Sequence, residues 1–403
     1  MKNKTQHPPT LRQNTNYTFL FILSVTVFFV GATEFMLSSM LTPLSVAFGT
    51  TTVGASWLVS SYAFSYALAA PVLGYFSDRV NRSRLLLSSL LFFAVDGLAI
   101  ILAPTLEIAI ALRIFGGIAS AVIIPTVFAL IADIVPYNHQ AGAMGSVMIG
   151  MTFGIAFGPA LAGILTDLIS WQAPFLFSSL GCTVTFIAGF YCLPTPMASK
   201  ELISRQLVWF RQWSIIRPLI AKGAWNGAGV SAFLLSGEVL RQRYGFGPTE
   251  IGLTVIAFGV GLGIGNISVG GLRKLCGREE ATLVVISLLL TGVISVFMLV
   301  PITLFGSLGC LIFWGIALGA GAPSSTVVLV TRASANKGMV LAFAETFNNL
   351  SILSLVPLAM TGLATAGPHA AMVVLSVGLV IGLTLTILDF WLTRCGNSAG
   401  SSV

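Results

Sequence analysis

Glu34, Asp96 and Arg113 each stand inside a run of sequence that is otherwise apolar for about twenty residues. A carboxyl in that setting is costly as an ion, so burial favours its protonated form. It can then load a proton in one environment and release it in another. A guanidinium there needs an acidic partner or a watery cavity. The second half of the chain repeats the theme with Lys222 and Glu345. Trp225 and Asn226 follow Lys222 at steps of three and four that share a helical face, and Trp314, Asn348 and Asn349 are further polar or aromatic candidates. The chemistry open to such residues is proton binding and charge pairing around a polar cargo. Bond-breaking chemistry has no support: there is no P-loop lysine motif and no Ser/His/Asp grouping. His7, His139 and His369 fall in the tail or in loops, and the five cysteines lack metal-ligand spacing. The reading is therefore of a protein that is not an enzyme, with no cofactor and no metal.

These residues are carried by an unusual composition. Hydrophobic residues make up 56% and charged residues 8% of 403 positions, where soluble chains average roughly 25% charged. That excludes a set of soluble domains and points to a polytopic helical membrane protein. Spans of about twenty apolar residues fall at 18–46, 54–77, 85–104, 107–133, 141–167 and 172–194, then at 214–238, 248–272, 281–301, 303–330, 338–364 and 369–393. The net charge of +7 invites a nucleic-acid reading, but the placement of the charges opposes it. Lysines and arginines collect in the tail, in the loop at 79–84, in the stretch 200–217, in the loop at 273–278 and near 332–337 and 394, all on one side. Only Arg241 and Arg243 lie on the other side. The positive-inside rule then puts both termini in the cytoplasm.

The loop between the second and third spans reads Gly74-Tyr-Phe-Ser-Asp78-Arg79-Val-Asn81-Arg82-Ser-Arg84. Such a run of charge cannot sit in hydrocarbon and must be a hairpin between membrane helices. The matching loop of the second half, Gly271 to Glu280, is a blurred copy of it. Two halves related by a weak repeat are the plan of transporters that work by alternating access, with the cargo site at the midplane between them. The first loop also resembles the signature of the major facilitator superfamily of secondary transporters. Where that family usually has Gly, this chain has Asn81, the next choice for a left-handed turn.

Two further stretches extend the resemblance. The fourth span carries Arg113, Gly117, Ala121, Pro125, Ala129 and Asp133 at steps of four, a ridge of mostly small residues that suits close helix packing. It resembles the family's fourth-helix motif, whose arginine is associated with proton coupling. Asp133 lies about 30 Å further along the helix and cannot partner Arg113. The resemblance instead implies that Asp133 joins Asp78, Arg79 and Arg82 in a cytoplasmic latch. The fifth span carries Gly145, Gly154, Gly158, Pro159 and Gly163, with Ala162 where the family has glycine. This resembles the motif of the drug:proton antiporter branch, and Gly150, Gly154, Gly158 and Ala162 form a packing ridge within it. In the first span, Thr33-Glu34-Phe35 resembles the sugar-efflux members of that branch. Third helices of this fold usually lie away from the central cavity, which makes Asp96 a structural partner of Arg113 before it is a proton carrier. Lys222 has two open readings, a cavity cation or a snorkelling interface residue.

The expectation is thus an all-α membrane protein of twelve transmembrane helices in two pseudo-symmetric six-helix bundles. The segments are a disordered tail at 1–16, a bundle at 17–194, a cytoplasmic linker at 195–213 with amphipathic spacing of Ile203, Leu207 and Phe210, a second bundle at 214–394, and a tail at 395–403. Its implied work, in a bacterial-type inner membrane and as a monomer, is to export a small organic molecule in exchange for protons. Its partners are that substrate, protons and the lipid bilayer, with no nucleic acid. Arg113 and Lys222 also admit an exporter dedicated to one anionic or zwitterionic metabolite. A non-transporting sensor of the same fold is disfavoured by the buried charges.

Overall fold

The computed structural model describes residues 13–77, 80–194, 211–333 and 337–399, and among these there is no strand. The helices are α1 (Gln13–Phe35), α2 (Leu37–Ala47), α3 (Thr52–Ser77), α4 (Arg82–Ile101), α5 (Leu106–Ile134), α6 (Tyr137–Leu168), α7 (Ala173–Cys192), α8 (Trp213–Tyr244), α9 (Pro248–Cys276), α10 (Glu279–Leu299), α11 (Leu304–Arg332) and α12 (Lys337–Ala399).

Twelve helices do not map one to one on twelve spans. The first span is α1 and α2 together, joined through Met36, whose backbone stays right-handed at φ −57° while the turn tightens locally. The last two spans are both in α12, which Gly367 breaks with φ 77°, a conformation that costs glycine little, with Pro368 directly after it. Helix begins at Gln13 and ends at Ala399, so it runs into both stretches expected to be tails. The expected amphipathic stretch around Ile203, Leu207 and Phe210 lies outside the described residues, as do Asp78 and Arg79.

Among the described residues, nine helices are long and apolar enough to cross a membrane. Neither α3 nor α8 meets that measure, for a reason that bears on the site. The polar residues of α3 (Ser56, Ser60, Ser61, Ser65) are buried, as are Arg217, Lys222, Ser231 and Ser236 of α8. A span with a polar stripe must turn that stripe toward protein or a cavity, because lipid cannot satisfy it. Apolar side chains do the reverse: Phe92, Val184, Phe190, Ile267, Val373 and Val377 are exposed on the outside, as expected of surface in contact with lipid tails.

Helices α1 to α7 form one half and α8 to α12 the other. The face bearing the basic loops is called the basic face below, and the opposite one the far face. The halves meet along α3 against α12 and α6 against α9. Small residues make the second contact possible: a side chain at Gly252 would overlap Pro159 and Ala160, and one at Gly259 would overlap Ala156. Near the far face, Thr42 Oγ1 donates to Glu238 Oε2 at 2.7 Å, and the Thr249 N–H donates to Asp167 Oδ2 at 2.9 Å. Toward the basic face the last bond between α6 and α9, among the described residues, joins Asn266 to Thr152 at 3.4 Å.

Candidate functional site

The N-terminal half places Glu34, Asp96 and Arg113 around one spot, on α1, α4 and α5. Arg113 is 2% exposed. Its Nε donates to the Leu58 carbonyl at 3.3 Å, and its guanidinium lies 4.5 Å from the centre of the Tyr62 ring. That cation–π contact partly offsets the loss of hydration. Among the described residues Arg113 forms no direct ion pair, yet Asp96, Tyr62 and Glu34 all act on it electrostatically. Asp96 is 5% exposed, and its carboxylate rests so closely on Gly116 that any side chain there would overlap Oδ2. Arg113 and Asp96 line a cavity of about 10 Å³ with Thr33, Phe93, Gly97, Phe175, Ser178 and Ser179.

Glu34 keeps part of its surface accessible, and the charges acting on it come from both halves: Glu345 on α12 and Arg113 on α5. Tyr62 and Tyr66 stand beside it, one helical turn apart on α3. The two tyrosines were not among the sequence candidates. Their i,i+4 spacing on the serine-rich span was the available signal.

The C-terminal half answers with a pair. Lys222 Nζ lies 3.1 Å from Glu345 Oε1, with side-chain exposures of 6% and 41%. Lys222 is therefore not a snorkelling residue. Its charge is held inside the bundle by Glu345, which keeps one side open. One turn along, Asn226 Nδ2 donates to Asn348 Oδ1 at 2.8 Å, and Asn349 Nδ2 donates to the Glu345 carbonyl at 3.0 Å. Trp225 and Trp314, expected at the cavity, are buried in the packing of their half. Trp225 fills the space left by Gly321 and Gly382. Trp314 is fully buried and meets Phe297 edge-on at 5.8 Å. Aromatic volume on a small-residue ridge goes into the core, and helical spacing alone cannot separate that from a cavity wall.

At the basic face, the Arg82 guanidinium bonds Asp133 and reaches the Ala129 carbonyl at 3.3 Å. Asp78 and Arg79 of the expected latch lie outside the described residues, and Gly74 sits within α3. Asn81 is not left-handed. With φ −60° and ψ 113° it caps α4, its side chain accepting the Arg84 N–H at 3.0 Å. The second half carries the counterpart with the signs exchanged: Glu280 at the start of α10 accepts from Arg332 at the end of α11, at 2.8 Å. Arg332 also grips Asp389 at 2.8 and 2.9 Å, and Arg217 Nε donates to Asp389 at 2.7 Å. This buried network was missed from sequence, although an acid inside the last apolar span was its visible trace.

The glycine ridge of α6 packs on α1. Side chains at Gly150, Gly154 and Gly158 would run into Ser24, Phe28 and Ala32. Two members of the motif reach the other half: Gly163 lies against Pro248, and Pro159 presents its carbonyl to Gly252. Gly145 faces open space and is not a packing position here.

The model of the Major Facilitator Superfamily matches residues 23–236. The chain is 23% identical over 400 residues to the uncharacterized MFS-type transporter YwfA of Bacillus subtilis (strain 168), covering 95% of this chain and 93% of that one. A shorter match, 30% identical over 145 residues and 36% of this chain, is to Multidrug resistance protein 1 of the same organism, 37% of which is covered. Among solved structures, a mutant form of the nucleoside transporter NupG superposes with a TM-score of 0.76 at 10% identity, covering 94% of this chain and 99% of that one. A bacterial homolog of the human lysosomal transporter Spinster, inward-facing and occupied, gives 0.73 at 15% identity over 96% of this chain and 98% of that one. A multi-pass helical membrane protein with buried charges in both halves, matched by the family model over more than half its length, this chain belongs to the Major Facilitator Superfamily of membrane transporters.

Proposed function

We propose that this transporter exports a small organic molecule in exchange for protons, with Glu34 as the group that carries the proton. The observation behind this reading is the position of Glu34: a partly accessible carboxyl inside the membrane, acted on by charges from both halves. A carrier must be ionised when wetted or paired and protonated when neither holds. Rocking the halves would change its company in that way. With the basic face cytoplasmic, as the placement of Lys and Arg supports, the bonds at Thr42, Glu238, Asp167 and Thr249 close the outer side.

The same geometry weighs on the cargo. Arg113 is tucked under Tyr62, and the Lys222 charge is met by Glu345. Neither cation stands free for an anionic cargo, whereas Glu34 and the open side of Glu345 offer acid oxygens. A cationic or zwitterionic drug or metabolite fits this arrangement better than an anion. The test is transport by purified protein in proteoliposomes under an imposed pH gradient, with fluorescent organic cations, zwitterions and anions as trial cargoes. Uphill movement of a cation or zwitterion that collapses with the gradient is expected. Transport indifferent to the gradient contradicts the proton reading.

A further inference from the structure

The chamber beside Arg113 holds more unsatisfied polar atoms than a packed helix bundle should tolerate. Asp96 Oδ1, Thr33 Oγ1 and Ser179 Oγ belong to residues that line it and have no hydrogen-bond partner within the protein, and they come from α4, α1 and α7. Buried polar groups are almost always satisfied. A cavity of about 10 Å³ is roughly what one water needs, with two to four polar partners around it. An apolar filling would strand the carboxylate. Neither Lys222 nor Glu345 lines this chamber, so the cargo reading does not use it.

Charge counting gives it a role. Among the described residues the N-terminal half buries one cation, Arg113, with two acids acting on it: Glu34, on which Glu345 of the other half also acts, and Asp96. An ion left unpaired at that depth is strongly destabilising. If Glu34 were the sole counter-charge of Arg113, protonating Glu34 would strand the guanidinium, and the carrier could not load. We propose that Asp96, through a water held by Thr33 and Ser179, supplies the negative charge that keeps Arg113 balanced, and so frees Glu34 to take up a proton. The inference rests on the proton-coupling reading above. In it Asp96 touches no cargo and acts through Arg113 as a positioning residue. The proton comes from bulk water to a Glu34 carboxylate oxygen, and the proposal requires Asp96 to be the ionised acid while Glu34 is protonated. The other groups facing Glu34 are Tyr62 and Tyr66 of α3 and Glu345 of α12, the last already paired to Lys222 of α8. Asp96 lines the same small cavity as Arg113, and Glu34 does not.

The test is the pH profile of Glu34 labelling by an apolar carbodiimide, which reacts with protonated carboxyls, read by peptide mass on full-length protein in detergent. Wild type is expected to label at Glu34, and Asp96→Asn to lose that labelling across the same pH range. The double variant Asp96→Asn/Arg113→Gln, which removes the cation, is expected to regain it. The readout is the pH at which Glu34 labels, which a merely structural Asp96 would leave in place. Labelling retained in Asp96→Asn, or lost in both variants alike, overturns the inference and leaves the coupling reading standing. Absence of Glu34 labelling in wild type overturns both.

Discussion

Replacing Asp389 by alanine should be among the most damaging single changes in the C-terminal half. Asp389 is 3% exposed and takes hydrogen bonds from Arg217 and from both terminal nitrogens of Arg332. Without it, Arg217, itself 4% exposed, has no acid within reach among the described residues, and Arg332 keeps Glu280 and the Ser214 carbonyl. Removing one partner of a buried pair costs about 3–5 kcal/mol, because the other ion stays buried and unmatched. Since Asp389 serves two cations, the upper end applies. Folded chains have a total margin of that order, so the variant should unfold much earlier on heating or fail to accumulate. The assay is a double-mutant cycle on thermal unfolding in detergent, with Asp389→Ala, Arg217→Ala and the pair. The two single losses should not add: with both charges gone, about 3 kcal/mol is recovered relative to their sum. Additive losses, or an Asp389→Ala protein within about 1 kcal/mol of wild type, would refute the buried network.

Other outcomes follow from the same geometry. Gly158→Leu should disrupt the N-terminal half itself, since a Cβ there already lies 2.6 Å from the Ala32 Cα; a marked loss of thermal stability along with transport is expected, and normal stability with lost transport would argue for a role between the halves instead. Asp167→Ala removes the acceptor of the Thr249 N–H at the start of α9, a site where a carboxylate contributes about 0.3–1 kcal/mol; in a Thr166→Cys background it should raise the reactivity of that cysteine, which lies beside Pro248, and unchanged reactivity would mean the bond does not help close the far face. Asn81→Ala should cost about 1 kcal/mol through the lost cap of α4, measurable as earlier thermal unfolding.

The fold was readable because hydrocarbon imposes length and composition on every span, and a kink such as Gly367-Pro368 announces itself. The tightened turn at Met36 did not, since nothing in Phe35-Met36-Leu37 breaks a helix. Intramembrane charges were equally visible: Glu34, Asp96 and Arg113 each stand out from an apolar run. Pairing across long separations was not visible. Lys222 and Glu345 are 123 residues apart, and only the packed bundle reveals that one cancels the other. Trp225 and Trp314 mark the opposite error, since a large aromatic on a helix facing other helices fills core more often than it lines a cavity. For Asp389 the sequence shows an acid inside the last apolar span, but not that Arg217 and Arg332, 172 and 57 residues away, close around it.

The central claim is that Glu34 couples protons to export, and counting protons tests it most directly. Purified protein in weakly buffered detergent is titrated with a cargo found by thermal stabilisation, and a pH indicator dye reports the protons released on binding. Wild type should release protons and Glu34→Gln should not, while Glu34→Gln remains folded because Gln keeps the shape of the protonated acid. Equal release from the two proteins would contradict the account and take the coupling role from Glu34.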